Sequence, residues 1–136
     1  MPRPTSALIV DDEPHVVVLL SALVRQLGVS TVWDAPDGET AIQQAKARGP
    51  DVVLLDLNIP QVDGLHVLEK LQAEHPKMPV IVVSAQSTVR TVNRAVELGA
   101  RAYVLKYGPK SEVLRQLSEA FDAIATRTDD LPVKEA

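Results

Sequence analysis

Three short stretches of this chain, residues 7–10, 52–55 and 80–83, are apolar at every position. A strand with one face in water alternates apolar and polar residues, whereas an unbroken apolar run is typical of a strand buried on both faces. Such strands occur almost only in parallel sheets that helices cover on both sides. This feature restricts the possible folds more than any other in the sequence.

Segments with helical periodicity separate these runs. Apolar residues recur at three- and four-residue steps, which predicts helices at 16–27, 39–48, 65–74, 88–98 and 112–125. Pro14 suits a first helical turn and Gly28 a helix end. In the fourth helix we expect Val89, Val92 and Val96 to face the sheet, and we expect Ser111 to cap the fifth. Weaker runs at 29–33 and 103–105 complete five predicted strands.

The alternation predicts a (βα)5 chain, an open parallel sheet with helices on both faces. Right-handed crossovers place the carboxyl ends of all strands at one edge, where ligands bind in such sheets. We expect residues 1–125 to form one domain. Residues 126–136 are polar and aperiodic, as in a tail or the start of a linker.

Composition excludes several function classes. The chain has no cysteine, so a metal would need oxygen or histidine ligands. A formal net charge of -4 argues against direct binding to nucleic acid or to an anionic membrane surface. The sequence has no signal-peptide pattern and no run long enough to span a membrane, so we expect a cytoplasmic location.

Polar residues follow four of the predicted strands. They are Asp11 with Asp12, Asp56, Ser84 and Lys106, and the topology should gather them at one edge of the sheet. Three carboxylates within about 5 Å repel each other by roughly 3 kcal/mol per pair at an effective dielectric near 20. A divalent cation would offset this repulsion, and a few oxygen ligands with room for water and phosphate match Mg²⁺.

These residue types suit phosphoryl chemistry. With the charge offset, Asp56 could attack phosphorus as a carboxylate nucleophile and form an acyl phosphate. Lys106 and the Ser84 hydroxyl would then contact phosphoryl oxygens. Ser84 could equally cap the following helix, and the two roles are compatible.

At these positions the sequence resembles the receiver domains of bacterial response regulators, over roughly residues 6–125. The stretches that carry the resemblance are residues 8–13 (LIVDDE), 54–60 (LLDLNIP), 63–64 (DG), 82–85 (VVSA) and 103–106 (YVLK). The resemblance implies a flavodoxin-like fold with strand order 2-1-3-4-5. It also implies phosphorylation of Asp56 to 4-aspartylphosphate by a histidine kinase or a small phosphodonor, without the domain being an enzyme in the usual sense.

The resemblance also implies ligands, a switch and partners. Mg²⁺ would be held by Asp12, Asp56 and the backbone carbonyl of Asn58, with Asp11 helping through water. Ser84 and Tyr103 would switch the face formed by the fourth helix, fifth strand and fifth helix. That face would act on an effector or a fused output domain, or form a homodimer. A sensor histidine kinase or phosphotransfer protein would be the donor.

Two further residues, Asn58 and Gln86, stand two positions after Asp56 and Ser84, where family members vary the residues that handle the hydrolytic water. We expect them to tune the lifetime of the phosphoryl group.

One residue departs from the family pattern. Receivers usually have proline in a cis bond directly after the lysine, whereas Tyr107 follows Lys106 here. A cis bond before a non-proline residue costs about 3 kcal/mol. The bond is therefore expected to be trans or strained.

Three alternative functions share parts of the pattern. An aspartyl-nucleophile phosphatase would want a second acid two positions after the nucleophile, where this chain has Asn58. A flavin or dinucleotide module would want a glycine-rich phosphate loop after the first strand, where this chain has acids. The third alternative is a pseudo-receiver, a binding module that works without phosphorylation, and the complete set of acids, serine and lysine argues against it.

Overall fold

The computed structural model describes residues 3–85 and 88–126, and within them five strands alternate with five helices. The strands are β1 (Ser6–Val10), β2 (Thr31–Ala35), β3 (Val52–Leu55), β4 (Val80–Ser84) and β5 (Ala102–Leu105). The helices are α1 (Pro14–Gln26), α2 (Gly38–Arg48), α3 (Gly64–Glu74), α4 (Val89–Glu97) and α5 (Lys110–Thr126). Of the predicted tail at 126–136, only Thr126 lies within the described residues, and it ends α5.

All five strands are parallel and lie in the order β2-β1-β3-β4-β5. This confirms the predicted flavodoxin-like fold. Consecutive strand residues enter opposite cores: Ile9 packs with the residues of α1 and α5, and Leu8 packs with those of α2, α3 and α4. Because side chains alternate across a strand, a sheet covered on both faces needs an apolar residue at every position. The unbroken runs follow from this arrangement.

Capping residues set several helix starts at the carboxyl edge of the sheet. Pro14 opens α1, as predicted. The Asp37 carboxylate accepts a hydrogen bond from the Thr40 N–H at 2.8 Å, and the Asp63 carboxylate accepts one from Leu65 at 3.0 Å. Each bond satisfies an N–H group that has no partner inside its helix.

Two predicted boundaries are wrong. The strand expected at 29–33 runs over Thr31–Ala35, and Val29 is buried just ahead of it. The fifth helix begins at Lys110, because the carbonyl of Pro109 already accepts hydrogen bonds from Glu112 and Val113. Ser111 therefore lies inside the first turn and does not cap the helix.

The predicted inward face of α4 is also wrong. Val89 is 75% exposed, Val96 is 58% exposed, and the buried residue of this helix is Ala95. Ala95 lies about 100° around the helix from Val96, since 3.6 residues make a turn. The helix packs against α3 and β5 near the edge of the sheet. The small side chain of Ala95 makes that contact, Val92 is half-buried, and Val89 and Val96 face outward.

In the part of the chain that the structure describes, no helix is both long enough and apolar enough to cross a bilayer.

Candidate functional site

The site is built on backbone hydrogen bonds that continue the sheet just past the strand ends. The N–H of Asp11 donates to Ala35 at 3.0 Å, that of Asp56 to Val10 at 2.9 Å, and that of Lys106 to Ser84 at 2.8 Å. These bonds hold the backbone on which the functional side chains stand. The structure thereby brings together the residues that the sequence predicted for one edge.

Lys106 is the centre of the charge arrangement. Its ammonium donates a hydrogen bond to Asp56 Oδ2 at 2.9 Å and lies 2.9 Å from Asp11 Oδ2 and 2.6 Å from Glu13 Oε1. Burial disfavours the charged form of this lysine, but contact with the three carboxylates raises its pKa above the ordinary value. The ammonium therefore stays protonated at neutral pH.

Burial is unfavourable for the charged form of Asp11. Burial raises the pKa of its carboxyl above the usual range, although hydrogen bonding from the Glu13 N–H at 2.9 Å opposes this shift. Its Oδ2 atom is buried, and its close partner among the described residues is the Lys106 ammonium at 2.9 Å. A buried carboxylate oxygen with incomplete satisfaction favours a further positive partner.

The residues fit a divalent cation. One carboxylate oxygen from each of Asp11, Asp12 and Asp56 lies within 4.8 Å of the others. The Lys106 ammonium contacts Asp11, Asp56 and Glu13, and Asp12 adds a fourth carboxylate to the cluster. Oxygen donors and this excess of negative charge are what a hard cation such as Mg²⁺ requires. Asp12 is exposed, so the cluster is open to solvent on one side.

A cleft of about 250 Å³ opens over this cluster. Its lining residues are Asp12, Glu13, Asp56, Asn58, Ala85, Lys106 and Tyr107. The cleft is polar and small, of a size that suits a phosphoryl group with water molecules rather than a large organic ligand.

The loop after β3 places Asn58 on the cleft. The Asn58 N–H donates to Asp56 Oδ1 at 3.0 Å, which engages the Asp56 oxygen that Lys106 does not contact. Gly64 closes this loop by donating to the carbonyl of Leu57 at 3.2 Å. A Cβ atom at position 64 would lie 2.4 Å from Leu57 Cα, so only glycine permits this closure.

The predicted switch residues lie outside the cleft lining. Ser84 ends β4 and is fully buried, and Tyr103 is half-buried on β5 in register with Val82. Tyr103 lines a separate groove between β5 and α5. Gln86, predicted to tune phosphoryl lifetime, lies outside the described residues.

Two residues of the site, Glu13 and Tyr107, were not predicted from the sequence. The Tyr107 hydroxyl donates to Glu13 Oε1 at 2.8 Å, and the same oxygen contacts Lys106. Hydrogen bonding from Lys106, and to a smaller extent from Tyr107, lowers the pKa of Glu13. The hydrogen bond to Glu13 in turn raises the pKa of Tyr107. The peptide bond between Lys106 and Tyr107 is trans. Their positions in the sequence could have indicated them, because Glu13 directly follows Asp12 and Tyr107 directly follows Lys106.

Comparison with known proteins agrees with this geometry. The sequence model of the response regulator receiver domain family matches residues 7–118. Among curated relatives, the probable transcriptional regulatory protein TcrX of Mycobacterium tuberculosis is 36% identical, over 85% of this chain and 49% of that protein. The nitrate/nitrite response regulator NarL of Escherichia coli is 31% identical, over 87% of this chain and 55% of that protein.

A third relative carries an enzymatic name. The protein-glutamate methylesterase/protein-glutamine glutaminase 1 of Geobacter metallireducens is 40% identical, over 86% of this chain and 32% of that protein. The chain thus spans about a third to a half of the length of these relatives.

Solved structures show the same fold. The receiver domain of a NarL regulator from Mycobacterium tuberculosis superimposes with a TM-score of 0.77 at 28% identity, over 93% of this chain and all of that one. The beryllofluoride-activated receiver of Klebsiella pneumoniae RstA gives 0.75 at 26% identity, over 85% of this chain and 97% of that one. The chain therefore belongs to the response regulator receiver domains, the signalling domains of two-component systems.

Proposed function

We propose that Asp56 accepts a phosphoryl group in a Mg²⁺-dependent reaction and that the resulting 4-aspartylphosphate changes the surface seen by a partner. One observation carries the proposal: the Asp56 carboxylate, 1% exposed, is held at the cleft between the ammonium of Lys106 and the acids Asp11 and Asp12. A nucleophile, a phosphoryl-binding cation and a metal-competent acidic cluster are the parts that such a transfer requires.

The transfer forms one bond and breaks one. A carboxylate oxygen of Asp56 attacks phosphorus, and the P–N bond of a phosphohistidine donor breaks. The electron pair of that bond stays on the imidazole nitrogen, which is protonated directly or after release. With acetyl phosphate the bond that breaks is P–O, and acetate leaves. No other residue of the chain needs to change its covalent state.

The chain's own residues orient and stabilise the phosphoryl group. Lys106 lies 2.9 Å from Asp56 Oδ2 and would contact a phosphoryl oxygen, while the Ser84 hydroxyl would contact another. Asp12, Asp56 and the backbone carbonyl of Asn58 would hold Mg²⁺, with Asp11 acting through water. When bound, Mg²⁺ would offset the negative charge of the acids and of the transferred group.

The donor and the output are proposed by analogy with other members of the family. A sensor histidine kinase or phosphotransfer protein would supply the phosphoryl group. Ser84 and Tyr103 would shift the face formed by α4, β5 and α5, which would then control an effector, a fused output domain or a homodimer. The longer relatives with transcriptional and methylesterase names support an output outside the present residues. These events would take place in the cytoplasm.

The lifetime of the phosphoryl group would depend on Asn58 and Gln86. We expect the double variant Asn58→Ala with Gln86→Ala to change the dephosphorylation rate, and an unchanged rate would refute this role.

Intact mass spectrometry tests the proposed function directly. The protein is incubated with acetyl phosphate or phosphoramidate, with and without Mg²⁺, beside the variants Asp56→Asn and Asp34→Asn. We expect a gain of one phosphoryl group that requires Mg²⁺ and is lost in Asp56→Asn. The gain should persist in the control variant Asp34→Asn, because Asp34 is an exposed residue of β2. If the wild type gains no mass and does not respond to beryllofluoride with Mg²⁺, the chain acts as a pseudo-receiver.

A further inference from the structure

Tyr107 and Lys106, which are neighbours in the chain, both contact the side chain of Glu13 from the loop after β1. The Tyr107 hydroxyl donates to Glu13 Oε1 at 2.8 Å, and the Lys106 ammonium lies 2.6 Å from the same oxygen. Glu13 follows β1 and Tyr107 follows β5, so 94 positions of sequence separate the two residues. The bond joins two loops that the strand order keeps on opposite sides of Asp56.

We propose that Tyr107 is a positioning residue for Lys106 and that it acts through Glu13, which holds the ammonium at the cleft when Asp11 and Asp56 are engaged by a cation. This inference rests on the proposed function, because it concerns how Lys106 is presented to the phosphoryl group. Neither residue takes part in the covalent step.

Lys106 needs such support because two of its three partners have a second task. Its ammonium stands on a flexible four-carbon stem, and a single charge of this kind has no directional fork to orient it. Asp11 and Asp56 belong to the metal-competent cluster, and a divalent cation bound there would compete for their charge. Glu13 lies outside that cluster and keeps its full attraction for the lysine.

Glu13 in turn needs Tyr107. Its backbone is well held, because its N–H donates to Asp11 Oδ1 and its carbonyl accepts from Val16 and Val17 at the start of α1. Its side chain, however, is 35% exposed and free to extend into water. Ordering a glutamate side chain costs conformational entropy, and the Tyr107 hydroxyl offsets part of that cost.

The role of the Tyr107 hydroxyl can be tested separately from that of its aromatic ring. The Lys106 ammonium also lies 5.6 Å from the centre of the Tyr107 ring, within range of a cation–π contact. Tyr107→Phe keeps this contact and removes only the hydroxyl. Any effect of the variant therefore reports on the bond to Glu13.

The first test is a double-mutant cycle on the rate of Asp56 phosphorylation by phosphoramidate with Mg²⁺. We expect Tyr107→Phe to lower the rate at saturating donor about 5-fold, the scale of the net contribution of one typical hydrogen bond, with little change in the half-saturating donor concentration. Glu13→Gln should lower the rate at least as much. The double variant should be no slower than Glu13→Gln alone, because both changes disrupt the same contact of Glu13 with Lys106.

The second test needs no phosphodonor. In ¹⁵N-labelled protein at saturating Mg²⁺, when a cation engages Asp11 and Asp56, the ammonium signal of Lys106 should be resolved in the wild type, because the contact with Glu13 still slows proton exchange. It should broaden or vanish in Tyr107→Phe. Glu74→Gln on α3, whose glutamate pairs with Lys70, serves as the matched control and should change neither readout.

The outcomes separate the two proposals. A wild type that is never phosphorylated refutes the proposed function, while the ammonium signal still reports on the contact with Glu13. A wild type that is phosphorylated overturns the inference if Tyr107→Phe keeps the wild-type rate, if it is faster, or if the two single effects are additive. Thermal unfolding of each variant verifies that the folded state persists.

Discussion

The carboxyl edge of the sheet and helix α4 depart in opposite ways from the usual rule that apolar side chains are buried and charged side chains are exposed. At the edge, the charged side chains of Asp11, Asp56 and Lys106 are buried, whereas on α4 Val89 and Val96 are exposed. Lysine and aspartate are almost never buried without partners, and valine is among the residues most often buried. The edge is therefore held by compensating charges, and α4 is held by few contacts of its own.

Under the proposed function, the difference separates two tasks. A group that must react needs a fixed position, and backbone bonds past the strand ends supply it at Asp11, Asp56 and Lys106. A surface that must change on signalling needs alternative packings of similar energy, and a helix with one buried residue suits that need. Three measurements test this comparison.

The largest effect is expected at the edge, from Lys106→Met. The change leaves two buried carboxylates without their ammonium, and breaking a buried ion pair in this way costs about 3 to 5 kcal/mol. Urea denaturation without Mg²⁺ measures the loss. Lys46→Met, on the exposed side of α2, is the control and should change stability by less than about 0.5 kcal/mol. A loss for Lys106→Met as small as that of the control would show that the edge is not held by charge.

The second test compares α4 with α1. Leu20 on α1 is buried, and Leu20→Ala should cost about 2 to 5 kcal/mol through lost burial and the cavity that remains. Val96→Ala on α4 should have an effect within about 0.5 kcal/mol of zero, because the side chain is in water and alanine favours the helix. The same urea curves report both values. A cost for Val96→Ala near that of Leu20→Ala would mean that Val96 is covered in solution.

The smallest effect is expected from adding Mg²⁺ to the wild type. A cation that binds only the folded state at ten times its dissociation constant stabilises by about 1.4 kcal/mol. The thermal midpoint should rise with Mg²⁺, and Asp12→Asn should abolish most of the rise because it removes a ligand while leaving the Lys106 contacts intact. An equal rise in Asp12→Asn would place the cation elsewhere.

The fold is most predictable from the sequence where one residue type has one physical meaning. Unbroken apolar runs require two covered faces, so the parallel sheet and its strand-end residues were predictable. Pro14 and Gly28 were also predictable as helix boundaries, and Gly28 indeed has a positive φ of 104°. Boundaries that depend on competition between neighbours, such as the start of α5 at Lys110 rather than after Ser111, were not.

Two features could not be read from local patterns. Valines at three- and four-residue spacing define one face of α4, but the spacing does not say whether that face or the one bearing Ala95 meets the sheet. The contact of Tyr107 with Glu13 joins loops that are distant in sequence, and it depends on a side-chain distance of 2.8 Å. A pattern reports the periodicity of an element and not its rotation against its neighbours.

The amino-acid sequence was sufficient to predict the order of the elements, the parallel sheet and the gathering of Asp11, Asp12, Asp56, Ser84 and Lys106 near one edge, because chain direction and burial on both faces allow few other arrangements. The exposed face of α4, and the acid that holds Lys106 beside Asp11 and Asp56, could be identified only from the packing of the folded chain. These outcomes depend on the packing of segments far apart in the chain, where differences of an ångström decide which contacts form.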